Sequence, residues 1–249
     1  MIKTLLLDEW RFLTFRPMSP AIRTHWQAYL AFGLLFTWLA GVGRYWDNPR
    51  AGLWQQLGLG SVAYVFTLAL LLWALIAPLR PKNWSYRNVL LFLTLTAPPA
   101  VLYAIPVERF MSLQNAREAN AWFLALIAAW RVALLIIFLK RTAGLSAGAT
   151  AVATLLPIAG IVIALTALNL EHVVFNLMAG NQSELRSGND GAYVTVIILS
   201  VVAILASPVL LIAYLTFVFL AWRRRRAEKD EPITTSTSES QLSSASVEE

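Results

Sequence analysis

Ala121-Trp122-Phe123-Leu124-Ala125-Leu126-Ile127-Ala128-Ala129-Trp130-Arg131-Val132-Ala133-Leu134-Leu135-Ile136-Ile137-Phe138-Leu139 is the stretch on which the fold turns. Its length is that of a helix crossing a bilayer, for which about 20 apolar residues suffice. It carries one charge, Arg131, close to its middle, and ends in Lys140-Arg141. A basic end marks the cytoplasmic side, so this span starts outside and finishes inside.

The rest of the chain repeats the pattern. Of 249 residues, 58% are apolar and only 14% charged, against about a quarter charged in a soluble domain. The charges fall in short blocks between long apolar runs, the signature of several membrane spans. The sequence therefore predicts an all-α, polytopic transmembrane helix bundle with six spans, at about 26–45, 59–79, 89–107, 121–139, 150–170 and 193–222. Trp26, Trp46, Trp54, Trp84, Trp122 and Trp222 fall near their ends, as interfacial tryptophans do. The sixth stretch is long for a perpendicular crossing, roughly 45 Å at helical rise. Tilt, a kink at Pro208 or a cytoplasmic extension would absorb the excess.

Orientation follows from the basic residues. Lys3, Arg11, Arg16 and Arg23, then Arg80, Lys82 and Arg87, then Lys140 and Arg141, and finally Arg223, Arg224, Arg225, Arg226 and Lys229 fall in segments that alternate to one side. Arg44, Arg50, Arg109, Arg117 and Arg186 are all that the opposite side holds. The first set is cytoplasmic and both termini are inside. Arg80, Lys82, Arg87, Lys140, Arg141 and the Arg223–Arg226 run are candidate contacts for anionic lipid. The last of these reads as a stop-transfer anchor, not as a nucleic-acid patch.

Residues 1–20 precede the spans. Ile2, Leu5, Leu6, Trp10 and Leu13 share one face of an amphipathic helix that Pro17 and Pro20 terminate. It suits the cytoplasmic headgroup layer or a place against the bundle. Leu5-Leu6-Leu7 is too short for a cleavable signal, and Asp8-Glu9 follow it. Residues 223–249 form a polybasic stop and a Ser/Thr/Glu-rich tail too poor in bulky apolar residues to fold.

Candidate chemistry centres on Arg131. A central arginine costs about 2.5–3.5 kcal/mol on insertion scales, so it should face the bundle. Side chains lean toward a helix N-terminus, which aims Arg131 outward. Glu171 and Glu108, at the outer ends of the fifth and third spans, lean down to meet it. An intramembrane contact of Arg131 with Glu171 or Glu108 is expected; an anion or lipid-headgroup site is the functional alternative. Pro98-Pro99 interrupts the third span, with Pro157 and Pro208 in the fifth and sixth. No Asp or Glu lies within a span, so proton or sodium coupling has little to work with. Gly144 and Gly148 form a Gly-xxx-Gly pair suited to close helix packing, within the bundle or between two copies. The rim residues Arg44, Asp47, Glu108, Arg109, Glu171 and His172 read as a solvated edge. With no cysteine and only His25 and His172, on opposite sides, no metal or cofactor is implied, and no catalytic motif stands out.

One resemblance emerges over 85–157. Ser85-Tyr86-Arg87-Asn88-Val89-Leu90 leads into the span broken at Pro98-Pro99; Trp122 opens the next; Lys140-Arg141-Thr142-Ala143-Gly144-Leu145-Ser146 leads into the small-residue fifth span. This third of the chain resembles the Yip family of small polytopic proteins. The resemblance implies a non-enzymatic membrane protein; eukaryotic members are linked to Rab GTPases and vesicle traffic. Six spans in place of the usual five, Arg131, and the lack of a long cytosolic N-terminal domain depart from that pattern. These departures argue against a Rab-type role, and the compact form and basic cytoplasmic face suit a bacterial cytoplasmic (inner) membrane. The chain's expected partners are the lipid bilayer and a second copy or another membrane protein. A scaffold or interaction protein is the leading reading, and a small transporter or channel with an anion site near Arg131 the runner-up.

Overall fold

A computed structural model describes residues 1–43, 52–105, 107–167 and 191–230, and among them every regular element is helical. The helices are α1 (Ile2–Leu13), α2 (Ala21–Thr24), α3 (Trp26–Gly43), α4 (Leu53–Gln56), α5 (Leu59–Ile76), α6 (Tyr86–Leu95), α7 (Leu113–Arg141), α8 (Ala147–Ala167) and α9 (Gly191–Asp230). Five segments are long and apolar enough to cross a membrane: Trp26–Gly43, Leu59–Leu79, Glu118–Arg141, Ala147–Ala167 and Ile197–Arg224. This is the make-up of a multi-pass membrane protein.

The predicted third span, 89–107, has a different construction. The Ser85 hydroxyl accepts the backbone N–H of Asn88 at 3.2 Å and starts α6. The helix lasts only ten residues. Pro98 and Pro99 have no N–H to donate, and the chain tightens into a 3-10 segment over Pro98–Ala104. A further 3-10 turn follows at Val107–Arg109.

Short as it is, α6 is the centre of the molecule. Val89 and Leu90 join a core built from the Val65, Ala69, Leu72 and Ile76 face of α5, together with Leu139 and Ala153. Leu91, Phe92 and Leu95 enter a second core with Tyr29 of α3, Leu134 of α7, and Leu5 and Phe12 of α1. Phe92 stacks on Phe138, their centroids 4.4 Å apart. A helix apolar all round is stable only when covered all round. On α3 the buried stripe is Tyr29, Gly33, Thr37 and Gly41, and the two glycines let Thr94 and Ser61 of the neighbouring helices approach closely.

The last two helices pack on each other and reach the first core through Ala153, Tyr214 and Phe217. α9 runs for 40 residues, with Pro208 inside it, and packs chiefly on α8. The Thr166 and Ser200 hydroxyls share a 2.7 Å hydrogen bond across that pair. Only 11% of the apolar window of α9 is buried, leaving a long face to lipid.

Several basic segments meet at one end of the bundle. The Lys82 N–H donates to the Ala143 carbonyl at 2.8 Å. Arg87 lies over the Trp26 ring, 5.2 Å from its centroid. Arg141 Nη1 donates to the Phe15 carbonyl at 2.6 Å. Gly144 has φ +65° in the turn before α8, against the Lys82 side chain. Gly148 is the second residue of α8, where an added Cβ would come within 2.7 Å of Phe217 on α9. The two glycines thus serve a turn and an intrachain contact, not one continuous helix face.

Candidate functional site

Two places put charge inside the bundle. The first is Arg131. Leaving the α-helix at Thr96 frees carbonyls that no following N–H can reach. Arg131 Nε donates to one of them, that of Thr96, at 3.2 Å. The Leu93 carbonyl, one turn earlier, accepts both the Thr96 N–H at 3.2 Å and the Thr96 hydroxyl at 2.7 Å. The arginine and the prolines that broke the helix are therefore two halves of one arrangement. Of the expected partners, Glu171 and the side chain of Glu108 lie outside the described residues, as do Arg44, Asp47, His172 and the side chain of Arg225.

The second is α1, whose buried face is Leu5, Asp8, Glu9 and Phe12, the i, i+3, i+4, i+7 stripe of a helix. Ile2, Leu6 and Trp10, expected on the face with Leu5, are exposed together with Leu7. Helix α1 is thus apolar on both sides, with its two acids turned inward. Phe12 meets Phe92 edge-on at 5.9 Å. The Trp130 indole N–H donates to the Leu13 carbonyl at 3.1 Å, and its ring stacks on Phe15. Phe15, at φ +62°, turns the chain back toward α2.

Asp8 and Glu9 are neighbours with opposite surroundings. Asp8 has no exposed surface. One oxygen accepts the Ser19 N–H at 2.9 Å; the other accepts the Ser19 hydroxyl and the Tyr29 hydroxyl, each at 2.5 Å. Arg11 Nη1 stands 3.5 Å away. Burial alone would raise this carboxyl, but the bonds from Ser19 and Tyr29 and the charge of Arg11 outweigh it and hold it below 3.8. Glu9 is 6% exposed, and neither carboxyl oxygen has a hydrogen-bond partner among the described residues. Burial pushes it from 4.5 up to about 8, so it is held protonated at neutral pH.

Read from the sequence, Asp8-Glu9 serves only to exclude a signal peptide. A signal was present, however. With apolar residues at 2, 5, 6, 7, 10, 12 and 13, α1 has no wholly polar face, and two adjacent acids must intrude on one apolar side or the other. Serine and tyrosine partners 11 and 21 residues away decided which side.

Among the described residues no group of three or more His, Cys, Asp or Glu could hold a metal ion. No protein-family model, curated protein or solved structure matches the chain, so its chemistry is read from these contacts alone.

Proposed function

We propose that this chain is a six-crossing integral membrane protein with both termini cytoplasmic, acting as a non-enzymatic, Yip-like scaffold or interaction protein in a bacterial inner membrane. The sixth crossing is the broken segment. Ten α-helical residues rise about 15 Å and seven 3-10 residues about 14 Å, close to a hydrocarbon core of roughly 30 Å. Both pieces pack on α3, which supports their running on in one direction. The convergence of segments 11–26, 80–87 and 140–146 at one end supports a single cytoplasmic face.

The observation that carries the scaffold reading is how the interior charges are engaged. Arg131 ties α7 to the end of α6, and Asp8 ties α1 to the following loop and to α3. Both hold distant segments of chain in register. The second reading, a small transporter with an anion or headgroup site near Arg131, is favoured by one observation: Glu9 is a buried carboxyl with no hydrogen-bond partner among the described residues, on a helix whose Phe12 meets Phe92 of α6.

Because the chain has no cysteine, single-cysteine variants report topology directly. Lys82→Cys and Thr142→Cys should react with an impermeant maleimide from the cytoplasmic side, and Gln56→Cys and Met111→Cys from the other. Met111 reacting from the cytoplasmic side would remove the sixth crossing. For the role itself, the purified protein in liposomes should pass no anions. A flux abolished by Arg131→Ala would replace the scaffold with the transporter.

A further inference from the structure

Where α5 ends, Pro78 cannot donate a hydrogen bond, and the helix closes in a 3-10 turn over Ala77–Leu79. Tyr214 of α9 donates to the nearby Leu75 carbonyl at 2.7 Å and fixes α9 alongside. Above that bond the two elements part and leave an open groove of about 480 Å³, within the range of small-ligand sites. Its walls are Ala77 and Pro78 on one side and Leu215, Val218, Phe219 and Trp222 on the other. The last four follow i, i+3, i+4, i+7 spacing, one continuous face of α9. The walls are apolar, and the charge stands at the mouth.

That charge is Arg80, which lines the groove in a left-handed backbone conformation, φ 53° and ψ 55°. Its side chain is exposed and has no hydrogen bond or ion pair among the described residues. One turn beyond Trp222, Arg226 lies over the indole, its guanidinium carbon 3.7 Å from the ring centroid. Stacking uses the face of the guanidinium and leaves its N–H edge available to an acceptor. The apolar windows of the two spans end at Leu79 and Arg224. Both arginines therefore stand just past the point where hydrocarbon gives way to headgroups.

The geometry points to a binding site for one anionic phospholipid, an acyl chain lying in the groove and its phosphate between Arg80 and Arg226. A neutral detergent or a free fatty chain would fill the walls but leave the two guanidiniums unanswered. Free phosphate would answer the guanidiniums and leave the walls open. The inference rests on the proposed membrane placement of this end of the bundle, which the maleimide labelling tests independently.

The test uses the full-length protein in detergent, with dioleoyl phosphatidylglycerol, dioleoyl phosphatidylcholine or inorganic phosphate added. Native mass spectrometry counts bound lipid, and a melting curve reads stabilisation. One phosphatidylglycerol should be retained and should raise the melting temperature, with phosphatidylcholine and phosphate doing neither. Arg80→Gln and Arg226→Gln lie on exposed side chains and should each weaken retention about fivefold, the effect of one basic residue at an anionic surface. The pair together should weaken it more than tenfold. Val218→Phe should reduce retention with both arginines intact. Equal retention of the two lipids, equal stabilisation by phosphate alone, or full retention in the double glutamine variant would each overturn the site. Any of those results alongside the expected maleimide pattern would leave the six-crossing proposal standing.

Discussion

Arg131 on α7 and the acid pair on α1 pose one physical problem, a charge within an apolar bundle, and solve it differently. Arg131 meets a carbonyl that the proline break left without a donor. Asp8 collects three hydrogen bonds from Ser19 and Tyr29. Glu9, next along the same helix, has no hydrogen-bond partner among the described residues and keeps its proton instead. A buried ionisable group is thus stabilised by geometry where donors converge and by protonation where they do not. The difference lies one residue apart, so it belongs to the local contacts and not to depth in the membrane.

That contrast can be broken at its weakest member first. Glu9 has its carboxyl raised in the folded protein, so its penalty is absent below about 4.5. The penalty grows as pH rises between about 4.5 and 8 and is complete above that. The loss of stability across this window should be roughly 3–5 kcal/mol, read from melting curves at pH 5 and pH 8.5. Glu9→Gln should flatten most of the slope; a slope equal to that of the unaltered protein would mean that Glu9 is not buried as described.

Asp8 should respond in the opposite sense. Its folded carboxyl is lowered, so its stabilising contribution is present above about 3.8 and disappears as pH falls through the folded value. Asp8→Asn removes the charged acceptor and should cost about 2–3 kcal/mol at neutral pH. A neutral or stabilising result in denaturant titration would show that its donors find water instead.

Arg131→Leu leaves the Thr96 carbonyl without this donor and should lower stability by about 1–3 kcal/mol. Unchanged expression and melting temperature would sink the structural role of the arginine. The smallest change is Ser19→Ala, which deletes one of the bonds to Asp8 and should cost about 1 kcal/mol. In the Asp8→Asn background its effect should shrink, and full additivity in that double-mutant cycle would show that the two side chains are not coupled.

How much of this was legible in the sequence depended on the range of the interaction involved. The five long apolar helices are local, each visible as a run of residues, and the structure has them. Residues 89–107 were read as an interrupted span. The extent of the interruption could not be read, because two prolines specify a break without specifying that a 3-10 segment follows. Arg131 announced itself as the single charge in its span, and the Thr96 carbonyl that it meets, 35 residues away, did not. The α1 face was misjudged because several apolar stripes compete on that helix. Hydrophobic spacing alone cannot choose among them when the deciding bonds come from Ser19 and Tyr29. Gly144 and Gly148 fit a spacing motif, yet a turn separates them, so a shared spacing did not mean a shared face.

The seat of α1 also sets an order of events during synthesis. Its end is held by Trp130 and Arg141, which lie 117 and 126 residues later in the chain. At ribosomal rates of about 5–20 residues per second, those anchors emerge on the order of ten seconds after the helix they hold. Until then α1 lacks its α7 anchors, while its exposed residues Ile2, Leu6, Leu7 and Trp10 are apolar enough to rest on a membrane surface. Helix α1 is thus made well before the residues that fix its end. Asp8 can meet Ser19 and Tyr29 early, and what waits for α7 is the anchoring of the chain where α1 ends.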